Sequence, residues 1–284
     1  MEKTPQWRCR HTSLVWGHRT LLMGVVNVTP DSFSDGGLYF EPGRAIAQAY
    51  RLQEEGADLL DVGGASSRPG ADPVPVEEEL RRVSPVVEEV AGRGGCVVSV
   101  DTVSYEVAAR CLEAGASVLN DISGLQREPR LARLAAESGA GLIIMHMRGD
   151  PRTMQSLTEY ADLEGEIRRF FARQAAFAHS EGIQEDQLVL DPGIGFSKTA
   201  GQNLYLLKHL GRIRLGGYPL LLGVSRKSFI GKITGTEAGE RLMGTAGAVA
   251  AAVLNGADIV RVHDIKSLRD VVAVADAVRR AALP

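Results

Sequence analysis

The sequence predicts an α/β fold, a (β/α)8 TIM barrel, on three observations. Eight short apolar runs each end in polar residues that can do chemistry: Asn27 follows LLMGVV, Ser66-Ser67-Arg68 follow LLDVGG, Asp101 follows CVVSV, and Asn120-Asp121 follow SVL. His146 then follows LIIM, Asp191 follows LVL, Ser225-Arg226-Lys227 follow LLLGV, and Arg261 with His263 follow IV. A barrel of this class builds one active site from the loops at the C-terminal ends of its strands. A degenerate repeat also runs through the chain, in which EEGADLLDV, EAGASVLND, ESGAGLIIM and LNGADIVRV each join a helical segment to a strand through Gly-Ala. The Gly ends the helix in a left-handed conformation and the apolar run that follows is the next strand. Strand-like and helix-like segments alternate along the chain, which implies parallel strands.

Taken in order, the strands fall near 21–27, 58–62, 96–101, 117–120, 141–146, 187–191, 219–224 and 258–262. Helices fill the gaps at about 43–55, 76–91, 104–114, 129–138, 159–181, 201–211, 237–255 and 265–281. Apolar spacing in AIAQAYRLQEEG and EVAARCLEAG follows the helical period, not strict alternation. TSLVWGHRTLLMGV predicts a short N-terminal hairpin, turning at Gly17-His18, that closes the bottom of the barrel. Long loops rich in Gly, Pro and Ser follow the first two strands, TPDSFSDGGLYFEPG and GASSRPGADPVPVE. Loops this long on a compact barrel are lids or binding loops and are expected to be mobile.

At 284 residues the chain suits one domain over 1–284, with a core of about 20–282. A formal charge of −3 and a pI near 6.1 argue against sequence-independent nucleic-acid binding, which needs a concentrated basic face. Three cysteines without a CxxC spacing argue against a disulfide framework or a zinc site. No stretch approaches the roughly 18 apolar residues of a membrane helix, and the N-terminus lacks a signal-type apolar core, so a cytoplasmic protein is expected. Only six lysines and four asparagines occur, and Lys227, Asn27 and Asn120 all stand at strand ends. A composition bias accounts for the scarcity. It does not account for the placement.

The segments MGVVNVTPDSFSDGG, DVGGASSRPG, SVDT, NDISG, MHMRGDPRTMQ, DPGIGFSKT, GVSRKSFIG and RVHD, in this order, closely resemble the dihydropteroate synthase family of pterin-binding barrels over about residues 20–270. The resemblance implies a barrel enzyme, usually a homodimer. It joins 6-hydroxymethyl-7,8-dihydropterin pyrophosphate to p-aminobenzoate in folate biosynthesis and releases pyrophosphate. The family is the target of sulfonamides.

A pterin presents an alternating donor and acceptor edge, so its pocket needs carboxylates facing N–H groups and an amide able to do both. Asp101, Asn120 and Asp191 fit that edge, and Lys227 matches the family's pterin lysine. The resemblance adds Ile122 and Met145 as ring-packing walls. A strand-end Asp such as Asp101 is alternatively a helix N-cap. Asn120 is favoured over Asp121 as ligand, with Asp121 organising the loop. For the diphosphate, cations and donors are expected from Asn27, Arg68, Arg261 and His263, and the resemblance makes Asn27 also a ligand of Mg2+, completed by diphosphate oxygens and water. For p-aminobenzoate it implicates Phe33, Ser67, Arg68, Pro69, Gly195, Phe196, Lys227 and Ser228. His146 and the run RTMQ are expected to be scaffold.

Two departures stand out: where many relatives read GGESTRPG, this chain has Ala65 and Ser67. Ser67 keeps the hydroxyl, whereas the missing Glu puts in doubt any network that anchors the second loop. No Ser–His or Cys pair is built for covalent catalysis, so by analogy with the family a dissociative displacement is expected, with Asp101, Lys227, Arg261 and His263 as its catalytic residues. Two alternatives differ in what they require. A methyltetrahydrofolate–corrinoid methyltransferase-like protein would need neither SRKSFIG nor a diphosphate site, and an inactive binding paralogue would fail a turnover assay.

Overall fold

The computed structural model describes residues 4–29 and 42–282. Strand β1 (Gln6–Cys9) pairs antiparallel with β2 (Thr12–Val15), and the remaining strands form one parallel sheet. These are β3 (Leu21–Asn27), β4 (Leu59–Gly63), β5 (Val97–Asp101), β6 (Val118–Asp121), β7 (Gly141–Met145), β8 (Leu188–Asp191), β9 (Leu221–Gly223) and β10 (Ile259–Val262). The sheet runs β8-β7-β6-β5-β4-β3-β10-β9, and a parallel bridge between Leu190 and Leu220 closes it into the expected barrel.

Helices α1 (Pro42–Glu54), α2 (Val76–Arg93), α3 (Tyr105–Glu113), α4 (Arg130–Ser138), α5 (Leu163–Ser180), α6 (Ala200–Lys208), α7 (Leu210–Ile213), α8 (Ser228–Thr234), α9 (Leu242–Leu254) and α10 (Ile265–Arg280) surround it. The repeated joints behave as the sequence implies: Gly56, Gly115, Gly139 and Gly256 have φ of 103, 110, 70 and 111°, where a Cβ would be strained. Three boundaries differ from expectation. Helix α5 starts later than 159, because Asp162 caps it by accepting from Gly165 N at 2.9 Å. The segment 201–211 divides into α6 and α7, and 237–255 begins at α9, preceded by the short α8 that the sequence pattern does not reveal.

The hairpin exists and caps the barrel, but its turn is elsewhere. Thr12–Val15 pairs backward with Gln6–Cys9, turning at Arg10-His11 with Arg10 at φ 56°. The reason is alternation: Trp7 and Cys9 share one face, and that face is what the barrel buries. Trp7 donates from Nε1 to Gln187 O at 2.9 Å and packs with Leu21, Met23, Leu59, Val97, Val118, Ile143, Val189, Leu221 and Ile259. This is a dry layer inside the N-terminal end of the barrel. Outward-facing strand residues such as Leu22, Leu60, Val98 and Leu142 form the larger core against the helices.

Candidate active site

Side chains alternate along each strand, so the residue two beyond each member of the apolar layer faces the same interior. Above Leu59, Val97, Val118, Ile143, Val189, Leu221 and Ile259 stand Asp61, Ser99, Asn120, Met145, Asp191, Gly223 and Arg261. One step further come Gly63, Asp101, Ile122, Met147, Gly193, Ser225 and His263, with Asn27 ending β3. The barrel therefore turns polar towards its C-terminal mouth, where a cleft of about 1410 Å³ opens.

Asn27, Ser67, Arg68, Pro69, Asp101, Gly195, Phe196, Lys227, Ser228, Arg261 and His263 line this cleft. Asn120, Met145 and Asp191 lie beneath it, almost wholly buried, and Ile122 packs against the cluster of Met145, Met147, Met154 and Phe196. Phe33 lies outside the described residues, as does most of the first long loop.

The floor is a bonded network. Arg261 donates from Nε to Asp61 at 2.6 Å and from Nη2 to Asp101 at 2.9 Å. Asp61, fully buried, also accepts from Ser99 Oγ at 2.6 Å and Asn120 Nδ2 at 2.9 Å. Sequence reasoning missed Asp61 and Ser99. It also set Arg261 apart from the ring carboxylates as a diphosphate group, whereas the guanidinium is shared between Asp61 and Asp101. Asp101 is not a helix cap: Ser104 caps α3, accepting from Val107 N at 3.4 Å. Asp121 organises its loop as expected, accepting from the amides of Ser123 at 2.7 Å and Leu125 at 2.6 Å.

Burial pushes the Asp191 carboxyl up to about 6 although Gly193 N donates to it at 2.7 Å and Lys227 is near. The same loss of water, offset by Arg261, holds Asp101 well above the usual carboxylate range. Lys227 is drawn down to about 8 by burial and by Arg261, and its Nζ sits 4.0 Å from the centre of the Phe196 ring. It reaches there through a left-handed turn at Arg226, φ 58°, held by an Arg226 N bond to Thr245 Oγ1 at 3.0 Å and an ion pair to Asp264 at 2.7 Å.

The Asp191-Pro-Gly-Ile-Gly loop folds tightly over the floor. A Cβ on Gly193 would collide with the His146 carbonyl oxygen, and one on Gly195 would lie 3.1 Å from Lys227 Cδ. Beneath this loop is a second group that sequence reasoning missed. Lys198 Nζ bonds Phe196 O at 3.0 Å, Gly193 O at 3.2 Å and His146 Nδ1 at 3.1 Å. Burial draws Lys198 down to about 7, and burial together with Lys198 draws His146 down to about 2. His146 is thus a neutral part of the loop support. Met154, in the run read as scaffold, packs with Met145, Met147 and Phe196 and lines the cleft.

At the outer end His263 meets Ser225 twice, its N donating to Ser225 Oγ at 3.3 Å and its Nδ1 lying 2.9 Å from the same oxygen. Burial, then the charges of Arg261 and Arg226, hold His263 down at about 3, so it stands here as a neutral hydrogen-bonding group. Asn27 has no side-chain partner among the described residues, and Arg68 is exposed with its guanidinium unpaired among them. Where the Glu of many relatives is Ala65, the second loop is held by Arg82 Nη1 to Gly64 O at 2.8 Å and by Gly70 N to Pro151 O at 2.9 Å.

This arrangement has counterparts in known proteins. The pterin binding enzyme family model matches residues 23–263. The chain is 48% identical over 266 residues to the dihydropteroate synthase of Synechocystis sp., covering 93% of this chain and 92% of that one. The chain belongs to the dihydropteroate synthase family. Identity at this level over nearly the whole chain decides against the corrinoid methyltransferase alternative. Among solved members of the family, Xanthomonas albilineans dihydropteroate synthase with 4-aminobenzoic acid superposes with a TM-score of 0.90 at 41% identity, covering 99% of this chain and 100% of that one. The same enzyme in complex with 7,8-dihydropteroate gives 0.86 at 38% identity, covering 98% and 100%.

Proposed function

We propose that this chain condenses 6-hydroxymethyl-7,8-dihydropterin pyrophosphate with p-aminobenzoate to give 7,8-dihydropteroate and pyrophosphate, the transfer of a pterinylmethyl group in folate biosynthesis. The observation that carries the reading is the polar layer at the barrel mouth, where an amide, three carboxylates and two cations meet one apolar wall. In this reading the ring lies among Asp101, Asn120, Ile122, Met145, Asp191 and Lys227. Its donor edge meets Asp191 and its carbonyl side meets Lys227. The p-aminobenzoate ring sits between Phe33, Pro69 and Phe196, with its carboxylate at Ser67 or at the Ser228 end of α8, and with Arg68, Gly195 and Lys227 beside it.

The methylene C–O bond breaks, pyrophosphate leaves with the electron pair, and the p-aminobenzoate nitrogen forms the new C–N bond and loses a proton. Asp101 offsets the cation left on the pterinylmethyl group, while Asn27, Arg68, Arg261 Nη1 and neutral His263 stabilise the departing oxyanions. Mg2+ would add charge neutralisation at those oxygens. Among the described residues no cluster of three or more His, Cys, Asp or Glu could hold a metal, and Asn27 at the end of β3 offers one oxygen to the cleft. Asn27 would hold it, with diphosphate oxygens and retained waters completing the all-oxygen surroundings that Mg2+ takes.

A homodimer is part of the same proposal. An apolar groove of about 460 Å³ runs between α6, α8 and α9, lined by Leu204, Leu207, Phe229, Ile230 and Ile233, with Met243 80% exposed beside it. The three cysteines are free, which fits a reducing cytoplasm. No helix of the described residues is long and apolar enough to cross a membrane.

The test is a coupled assay for pyrophosphate, run beside calorimetry of p-aminobenzoate. Pyrophosphate release requiring both substrates supports the reading, as does p-aminobenzoate that binds only once pyrophosphate and Mg2+ are present. Release independent of p-aminobenzoate, or tight binding of it to metal-free protein, contradicts the reading.

A further inference from the structure

We infer that Asp61 is the positioning residue of the ring pocket: it decides which atom of the Asn120 amide faces the ligand and fixes the Arg261 guanidinium, an inference that rests on the pterin reading above. Asp61 does not line the cleft and is fully buried in β4, one step above Leu59, so it acts only through its neighbours. Its Oδ2 takes Arg261 Nε at 2.6 Å and Asn120 Nδ2 at 2.9 Å, while Oδ1 takes Ser99 Oγ at 2.6 Å.

The hydrogen-bonding inventory makes this a constraint. An arginine Nε only donates, so Asp61 Oδ2 is an acceptor, and the amide atom turned towards it must be nitrogen. The Asn120 oxygen is thereby turned the other way. That oxygen has no protein partner among the described residues and is not among their sealed, unpartnered atoms, so it opens to the pocket as an acceptor. An amide alone would read either edge, since its two ends differ only by rotation about the last bond. Anchored by Asp61, it favours a ring that presents a donor. Arg261, tied at Nε to Asp61 and at Nη2 to Asp101, is held flat across the floor with Nη1 left over.

The probes are 6-hydroxymethylpterin and its 2-oxo (lumazine) counterpart, in which the 2-amino donor becomes a carbonyl acceptor while the adjacent ring nitrogen N1 gains a hydrogen, titrated into wild type, Asp61→Ala and Asp61→Asn. Wild type should prefer the pterin. In Asp61→Ala the amide can turn, so preference should fall roughly tenfold, about one well-made hydrogen bond. Asp61→Asn can still accept from Asn120 and Arg261 while donating to Ser99, and should restore the preference. A folded Asp61→Ala that keeps wild-type preference overturns the inference. Should Asp61→Ala fail to fold, Asp61→Asn decides. Its preference should persist while the acid limb of pterin affinity moves to lower pH, because the Asp61 charge no longer opposes ionisation of Asp101. Lost preference or an unmoved limb overturns the inference. Wild type that binds neither ring, or does not distinguish them, would instead bring down the pterin reading beneath it.

Discussion

Val189 and Asp191 stand two residues apart on β8 and point into the same barrel, yet one belongs to a dry layer beneath the mouth and the other to a charged one. The same contrast separates Leu59 from Asp61, Val118 from Asn120 and Ile259 from Arg261. A step of two residues along a strand is about 6–7 Å, so scaffold and site are neighbouring floors of one interior. The lower floor gains stability from burial against Trp7. On the upper floor a lone buried charge would be costly, and these charges persist because Arg261 joins Asp61 to Asp101.

That contrast breaks most visibly at Arg261. Arg261→Ala leaves two buried carboxylates facing each other, and chemical denaturation should show a loss of about 3–5 kcal/mol. Because Asp101 is one of its partners, binding should weaken for 6-hydroxymethylpterin as well as for its pyrophosphate. Weakening confined to the pyrophosphate would restore Arg261 to a purely diphosphate role.

A smaller effect comes from pH. In the proposed pterin site, binding needs Asp191 and Asp101 ionised and Lys227 protonated. Asp191 sits at about 6 and Lys227 at about 8, so pterin affinity should peak between them. Below the peak the carboxylates take up protons and cease to accept, Asp101 steepening this limb, and above it Lys227 loses its charge. Each further pH unit should cost up to roughly tenfold per titrating group. Calorimetry across that range checks it, and a flat profile contradicts the assignment of these groups to the ring.

The barrel was legible because strand ends and Gly-Ala joints recur, and the strand-end rule reached Asn27, Asp101, Asn120, Asp191, Lys227, Arg261 and His263. It passed over Asp61 and Ser99 because both lie inside apolar runs. Counting in twos from Leu59 and Val97 would have found them. Lys198 is buried only because its loop folds back under itself, a tertiary event that spacing does not encode, although its being one of six lysines was a signal. Met154 is similar: RTMQ reads as a turn, and only the return of its loop over the cleft makes it a wall. The hairpin was misplaced because Gly17-His18 looks like a turn, whereas Arg10 in a left-handed conformation leaves no mark in the sequence.

The most direct measurement is a calorimetric titration of 6-hydroxymethylpterin into Asp191→Asn beside Val189→Ala, with the stability of each read from denaturation. Asp191→Asn puts a donor where the ring edge donates, so affinity should fall by roughly 2–4 kcal/mol while stability holds. Val189→Ala should lose about 2 kcal/mol of stability through a cavity in the dry layer and keep nearly all of its affinity while folded. Unchanged pterin affinity in Asp191→Asn, or equal losses of affinity in the two variants, would contradict the division of this barrel into a lower floor that holds the fold and an upper floor that holds the ring.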